Sequence, residues 1–293
     1  MLENGCGDGG FPSGRSSWAV AGPAEDGRLL TVDWLSYHAC GKFGGCGANV
    51  ASLVRELLFD HAAQRLLMRP VAEYALLHNA TFVKDATKVL APAALAAPAE
   101  SAVGGGGGGS GSSTGSLATL NVPKDKGGAI DVHVSFDVES TAQPRTQQQQ
   151  QQQHEGKGQH QQQDAFGIAV RAPAGSIEGA AVQVSFNVSA PHPTTGTRTV
   201  TAYGVRAQVP PFPVLKGETL DVRVLVDRAI VEVFLMGGRT SFVASKVAYD
   251  PETTAVHLFN NGATEVVAKN VSVFGMGCGW TDALPLPKQA LHV

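Results

Sequence analysis

The sequence predicts an all-β protein built as an antiparallel β-sandwich, and three observations carry that prediction. First, residues 220–276 break into short runs rich in Val, Ile and Phe. Turn residues part these runs roughly every 8–12 positions, the spacing of sandwiches and barrels. Second, residues 129–138 alternate: Ile130, Val132, Val134 and Phe136 share one face, and Asp131, His133, Ser135 and Asp137 share the other. A period of two with one apolar face belongs to an antiparallel strand that has a core on one side and water on the other. Third, residues 117–277 hold eight or nine such runs and almost no helical pattern.

The elements follow in order. Residues 1–27 are Gly/Ser-rich and aperiodic, with Trp18 and Val20 as the main apolar exceptions; a disordered lead is expected there. Residues 28–35, RLLTVDWL, read as a strand behind the Asp26-Gly27 turn. Residues 52–70, SLVRELLFDHAAQRLLMRP, support two readings. Leu53, Leu57, Leu58 and Leu66 sit near helical spacing, yet LVRELLF and RLLMR also read as two strands joined by DHAAQ; periodicity does not decide between them. VAEYALLHN after Pro70 suits a short helix with Pro in its first turn. Residues 76–116 read as a connector and Gly-rich linker, with six consecutive glycines at 104–109.

Beyond the strand at 129–138, residues 143–163 form a Gln-rich loop with seven consecutive glutamines at 147–153. Strands are then expected at 166–172, 181–188, 197–204, 220–226, 230–235, 240–247, 254–260 and 266–276. LKGE, DRA, GGR, DPET and NNGA mark turns between the later ones. Residues 278–293 read as a tail.

Composition narrows the functional classes. A formal net charge of −3 argues against a general nucleic-acid partner, which needs a basic stripe. No apolar run reaches the roughly 18–20 residues of a membrane span, so no membrane partner is expected. The opening MLENGCGDGG lacks the basic and apolar regions of a signal peptide; either the protein is not secreted or Met1 is not the natural start. Cys6, Cys40, Cys46 and Cys278 form no CxxC pair. Reduced thiols are expected, with one disulfide left open and no zinc site.

Candidate chemistry is sparse. Asp227 and Glu232 flank a tight hairpin, but Asp227 is expected to shape the turn and Glu232 to sit on a polar face or pair with an Arg. His154 and His160 lie in the Gln-rich loop and read as compositional rather than metal ligands. There is no Gly-x-Ser-x-Gly elbow, and the glycine run lacks the Lys-Ser/Thr of a phosphate loop. No metal or cofactor is expected. Asn79-Ala80-Thr81, Asn187-Val188-Ser189 and Asn270-Val271-Ser272 are Asn-x-Ser/Thr triplets, which carry glycans only in a secretory compartment. Trp18, Trp34 and Trp280 are sugar-stacking candidates whose commoner role is as buried anchors.

Two ordered sets of motifs resemble glycoside hydrolase family 32, the invertases and fructanases. Downstream, they are Val222-Arg223-Val224-Leu225-Val226-Asp227-Arg228, Val231-Glu232-Val233-Phe234, Gly237-Gly238-Arg239-Thr240 and the run from Ala255 to Asn261. Upstream, they are Ser52-Leu53-Val54-Arg55-Glu56-Leu57 and Arg69-Pro70-Val71-Ala72-Glu73-Tyr74. The resemblance covers about residues 28–277. It implies a β-propeller that does the chemistry, followed by a β-sandwich at 117–277, with residues 28–75 as a remnant of the last propeller blade. On that reading residues 52–70 are a strand pair, and the two low-complexity stretches are loop insertions.

The resemblance also implies retaining fructosidase chemistry on sucrose or fructan, which needs two carboxylates about 5–5.5 Å apart. The family places them in Asn-Asp-Pro and Glu-Cys motifs, with an Arg-Asp-Pro motif beside them. None of the three occurs in this sequence; its one Asp-Pro, Asp250-Pro251, reads as a turn. No catalytic residue is therefore assigned. The implied partners are sucrose or fructan, a propeller module and a homo-oligomer, and the implied compartment is secreted or vacuolar. A stand-alone carbohydrate-binding or oligomerisation module is the alternative.

Overall fold

The alternating apolar positions meet in one core between two six-stranded antiparallel sheets. The computed structural model describes residues 27–32, 34–35, 50–93, 116–124, 126–139, 165–203, 209–228, 230–244, 250 and 252–277. Seventeen strands lie among them. β1 (Leu29–Thr31), β4 (Arg55–Asp60) and β5 (Arg65–Pro70) make a three-stranded sheet in the order β1-β4-β5. β2 (Trp34–Leu35) pairs with β3 (Val50–Ala51).

The sandwich begins after a 3-10 helix, Ala72–Leu77, with β6 (His78–Leu90). There follow β7 (Ser116–Leu120), β8 (Ala129–Asp137), β9 (Phe166–Ala172), β10 (Val182–Val188), β11 (Arg198–Tyr203) and β12 (Phe212–Val214). The last five are β13 (Leu220–Asp227), β14 (Ile230–Leu235), β15 (Thr240–Ala244), β16 (Ala255–Asn260) and β17 (Val266–Met276). The first sheet runs β12-β11-β10-β9-β16-β7 and the second β15-β14-β13-β8-β17-β6.

The period-two pattern of β8 sends Ile130, Val132, Val134 and Phe136 inward. They meet Phe166, Ile168 and Val170 of β9, Val184 and Phe186 of β10, and Val222, Val224 and Val226 of β13. Phe136, Phe166 and Phe186 form a tilted cluster with ring centroids 5.1–6.0 Å apart. Each such side chain contributes about 1.5–3 kcal/mol by leaving water. Gly167 has a packing reason of its own: a Cβ there would collide with the Val184 carbonyl and the Phe259 ring.

Residues 52–70 resolve as a hairpin, β4 paired with β5 from Arg55↔Pro70 to Asp60↔Arg65. The turn is closed by Asp60 Oδ1, which accepts the N–H groups of Ala62 (2.9 Å) and Ala63 (3.1 Å), while Gln64 takes a φ of 53°. Pro70 ends β5 rather than opening a helix, and the expected short helix is the 3-10 turn.

The stretch expected as a connector, 76–116, differs more. Its first part is β6, thirteen residues paired with β17 at the edge of the second sheet. Two features hid it. Lys84, Asp85 and Lys88 interrupt its apolar pattern, as suits an exposed edge. Bulges also shift its register against β17 at several points, which breaks the period of two. The Gly-rich and Gln-rich stretches fall outside the described residues.

Candidate functional site

Charged residues embedded in apolar strands define the site, a seam where the β4–β5 hairpin rests on the outer face of the second sheet. Glu232 lies in IVEVFL between Val231 and Val233, whose side chains point inward. Alternation therefore sends Glu232 outward, against the hairpin. One of its oxygens accepts the Leu53 N–H at 2.6 Å, and the other accepts Arg55 Nη2 at 2.7 Å. Arg55 and Glu232 are only 2% and 1% exposed. The Arg55 guanidinium also stands over the Phe234 ring, 5.4 Å from its centroid. Next along the chain, Val54 N–H donates to Tyr74 Oη at 2.7 Å. The start of β4 is thus held at three successive residues.

A second clamp lies at the hairpin tip. Arg239 donates from Nε to Asp60 at 2.7 Å and from both terminal nitrogens to Glu218 at 2.6 and 2.7 Å. The Ala63 N–H and then Arg239 hold the Asp60 carboxyl below its ordinary range. Arg239 does the same for Glu218 against the opposing effect of burial. Between the clamps, Gly238 at φ +99° passes so close to the Met68 carbonyl and the Arg69 amide that a Cβ there would overlap both.

Farther across the same face sits Asp131, fully buried on the polar side of β8. Arg223 grips it with two bonds, Nε to Oδ1 at 3.0 Å and Nη2 to Oδ2 at 2.7 Å. His78 Nε2 is 2.9 Å from Oδ2. His133 Nε2 lies 3.0 Å from Oδ1, near enough for charge attraction but without hydrogen-bond alignment. The His78 ring stacks flat on Phe274, centroids 4.2 Å apart. Burial alone would raise the Asp131 pKa; His133 and Arg223 overcome it and hold the carboxyl well below its ordinary 3.8. A groove of about 570 Å³ opens above this cluster, lined by Arg69, His133, Asp221, Arg223, Asn270 and Phe274 among others.

Each buried carboxylate of the face is matched to a guanidinium, Asp131 to Arg223 and Glu232 to Arg55. Of the two carboxylates flanking the β13–β14 turn, Glu232 is sealed in the seam by an Arg, and Asp227 is exposed at the end of β13. Asp250 acts in a turn, accepting the Glu252 and Thr253 N–H groups. Among the described residues no group of three His, Cys, Asp or Glu could hold a metal, and no helix is long and apolar enough to cross a membrane. His154, His160, Trp18, Trp280 and the four cysteines lie outside the described residues, and Trp34 falls in β2.

Arg55, Asp60, Glu218 and Arg239 were not singled out from the sequence as site residues. Their signal was a charge inside or beside an apolar strand. Their partners lie up to 179 positions away, and no local pattern reports such pairs.

Known proteins share both sequence and shape with this chain. The family profile described as "Glycosyl hydrolases family 32 C terminal" matches residues 106–274, more than half of the 293. The bifunctional 6(G)-fructosyltransferase/2,1-fructan:2,1-fructan 1-fructosyltransferase of Allium cepa is 44% identical over 75 residues, 24% of this chain and 12% of that protein. Beta-fructofuranosidase 1 of Zea mays is 38% identical over 84 residues, 27% of this chain and 12% of that protein. Fructan 1-exohydrolase IIa from Cichorium intybus superposes with a TM-score of 0.58 at 20% identity, covering 86% of this chain and 46% of that one. The likeness to the Cichorium structure speaks to fold, and the chain spans well under two thirds of each of these proteins. The chain belongs to glycosyl hydrolases family 32, as a region carrying that family's C-terminal domain.

Proposed function

We propose that this chain is the C-terminal scaffold of a β-fructosidase or fructosyltransferase acting on sucrose or fructan, with no catalytic carboxylate of its own. Residues 28–75 are the remnant of a last propeller blade, and the sandwich runs from β6 through residue 277. Its role is to hold that blade in place. The Glu232 latch carries this reading: a buried carboxylate fixes Leu53 and Arg55, at the start of a hairpin, to a separate sandwich, an arrangement that suits the docking of two modules. The missing Asn-Asp-Pro, Arg-Asp-Pro and Glu-Cys motifs support the absence of chemistry.

The groove above Asp131 favours a second reading, a carbohydrate-binding module, because its volume and mixed polar and aromatic lining suit a small ligand. Incubating the purified chain with sucrose and with inulin tests both. The expected outcome is no fructose above a blank. Fructose release well above that blank overturns the proposal, and fructan binding without release, measured by calorimetry, favours the second reading.

A further inference from the structure

We propose that Asn79 is an N-glycan acceptor and that its glycan covers the open end of the edge strand β6. The triplet Asn79-Ala80-Thr81 has the acceptor pattern, an Asn two residues before a Thr with no Pro between. The structure distinguishes it from the other two triplets. Asn79 and Thr81 are both exposed. Asn187 is partly buried in β10, and its neighbour Ser189 spends its hydroxyl on the Thr199 N–H and the Ala190 carbonyl. Asn270 is exposed, but the Ser272 hydroxyl of its triplet is buried and accepts the Asp85 N–H at 2.9 Å.

The surroundings of Asn79 leave room for a bulky group. Gly275 and Gly277 are its cross-strand neighbours. A Cβ on Gly277 would sit 3.2 Å from Asn79 Nδ2, and one on Gly275 3.2 Å from Asn79 Oδ1. Two glycines where side chains would crowd the amide keep that nitrogen reachable.

The edge itself supplies the reason for a shield. β6 ends the order of the second sheet, so among the described residues one side of its backbone has no strand partner, a template for pairing with another chain. Its second half carries Lys84, Asp85 and Lys88, charges that discourage such pairing. Its first half, HNATFV, has only His78, and that ring turns to Asp131. Leu76, just before the strand, is 71% exposed. A glycan at Asn79 stands over this uncharged half and its apolar neighbour, where a bulky, solubilising group has most effect.

The proposal concerns the chain when it passes through a secretory compartment and does not depend on the catalytic reading above. The full chain is secreted from yeast behind a cleavable leader, then deglycosylated by an amidase in heavy-oxygen water, which converts occupied Asn to labelled Asp. Peptide mass spectrometry is expected to find the label at position 79. Asn79→Gln and Thr81→Ala should both abolish it, and Thr81→Ala keeps the asparagine itself. Enzymatic removal of the glycan from the folded protein should shift size-exclusion elution from monomer toward larger species. An unlabelled Asn79 in the secreted, folded chain overturns the acceptor site. Unchanged elution after glycan removal overturns the shielding role.

Discussion

Asp131 was legible as a polar residue on the outward face of β8, but its burial was not. That face was expected to meet water, yet Arg223 from β13 and His78 from β6 close over it. Their distances along the chain, 92 and 53 residues, put the pairing beyond any local pattern. The depressed carboxyl has a consequence for pH. A group whose folded pKa lies below its unfolded value stabilises the fold fully above the unfolded value and loses that contribution as pH falls toward the folded one. Asp131 and Asp60 have ordinary values of 3.8, and Glu218 of 4.5, and all three are lowered in the fold. Stability is expected to be flat in these groups above about pH 5 and to fall progressively below about pH 4. Denaturant unfolding as a function of pH measures it. Asp131→Asn should reduce the proton uptake on acid unfolding by about one; an unchanged slope would show that Asp131 titrates alike in both states.

At the scale of elements, strands β8–β11 and β13–β17 were readable as short apolar runs between turn residues, and some of them, such as β8 and β13, also keep a period of two. β6 was not, because bulges and edge charges replace that period. The hairpin 52–70 was ambiguous from periodicity and became a strand pair only through the family pattern. The packed chain adds a reason: β4 faces a sheet, and its Arg55 must reach a carboxylate on β14. The Gly237-Gly238 turn was legible as a turn but not as a contact. Gly238 combines a φ of +99°, which L side chains rarely adopt, with direct backbone approach to Met68 and Arg69. Gly238→Ala is expected to cost about 1–3 kcal/mol through backbone strain, with added displacement of β5. Thermal unfolding measures the loss, and faster hydrogen exchange at Met68 and Arg69 locates it. A variant as stable as the parent, with unchanged exchange there, would mean that the turn relaxes freely.

The whole molecule divides unequally. The sandwich holds a core of some thirty apolar side chains, most with under 5% exposure. The three-stranded sheet leaves Leu29 and Phe59 at 41% and 47% exposure and depends on the seam for its place. A sheet with so little core of its own should open at lower free energy than its host. Glu232 is the test, because it touches the hairpin from inside the sandwich. Removing one partner of a buried ion pair costs on the order of 3–5 kcal/mol, whereas replacing both partners with apolar groups of similar size is near neutral. Glu232→Ala should therefore lower the exchange free energy of amides in residues 53–70 by most of that amount. Protection in β9, β10 and β16, in the opposite sheet across the core, should change little. The double replacement Arg55→Met with Glu232→Leu should restore much of the hairpin protection. Native-state hydrogen exchange reads both regions in one experiment, and limited proteolysis of the single variant should release the hairpin first. If hairpin and sandwich instead lose protection together, by the same amount, they form one cooperative unit, and the seam is part of the core rather than a dock.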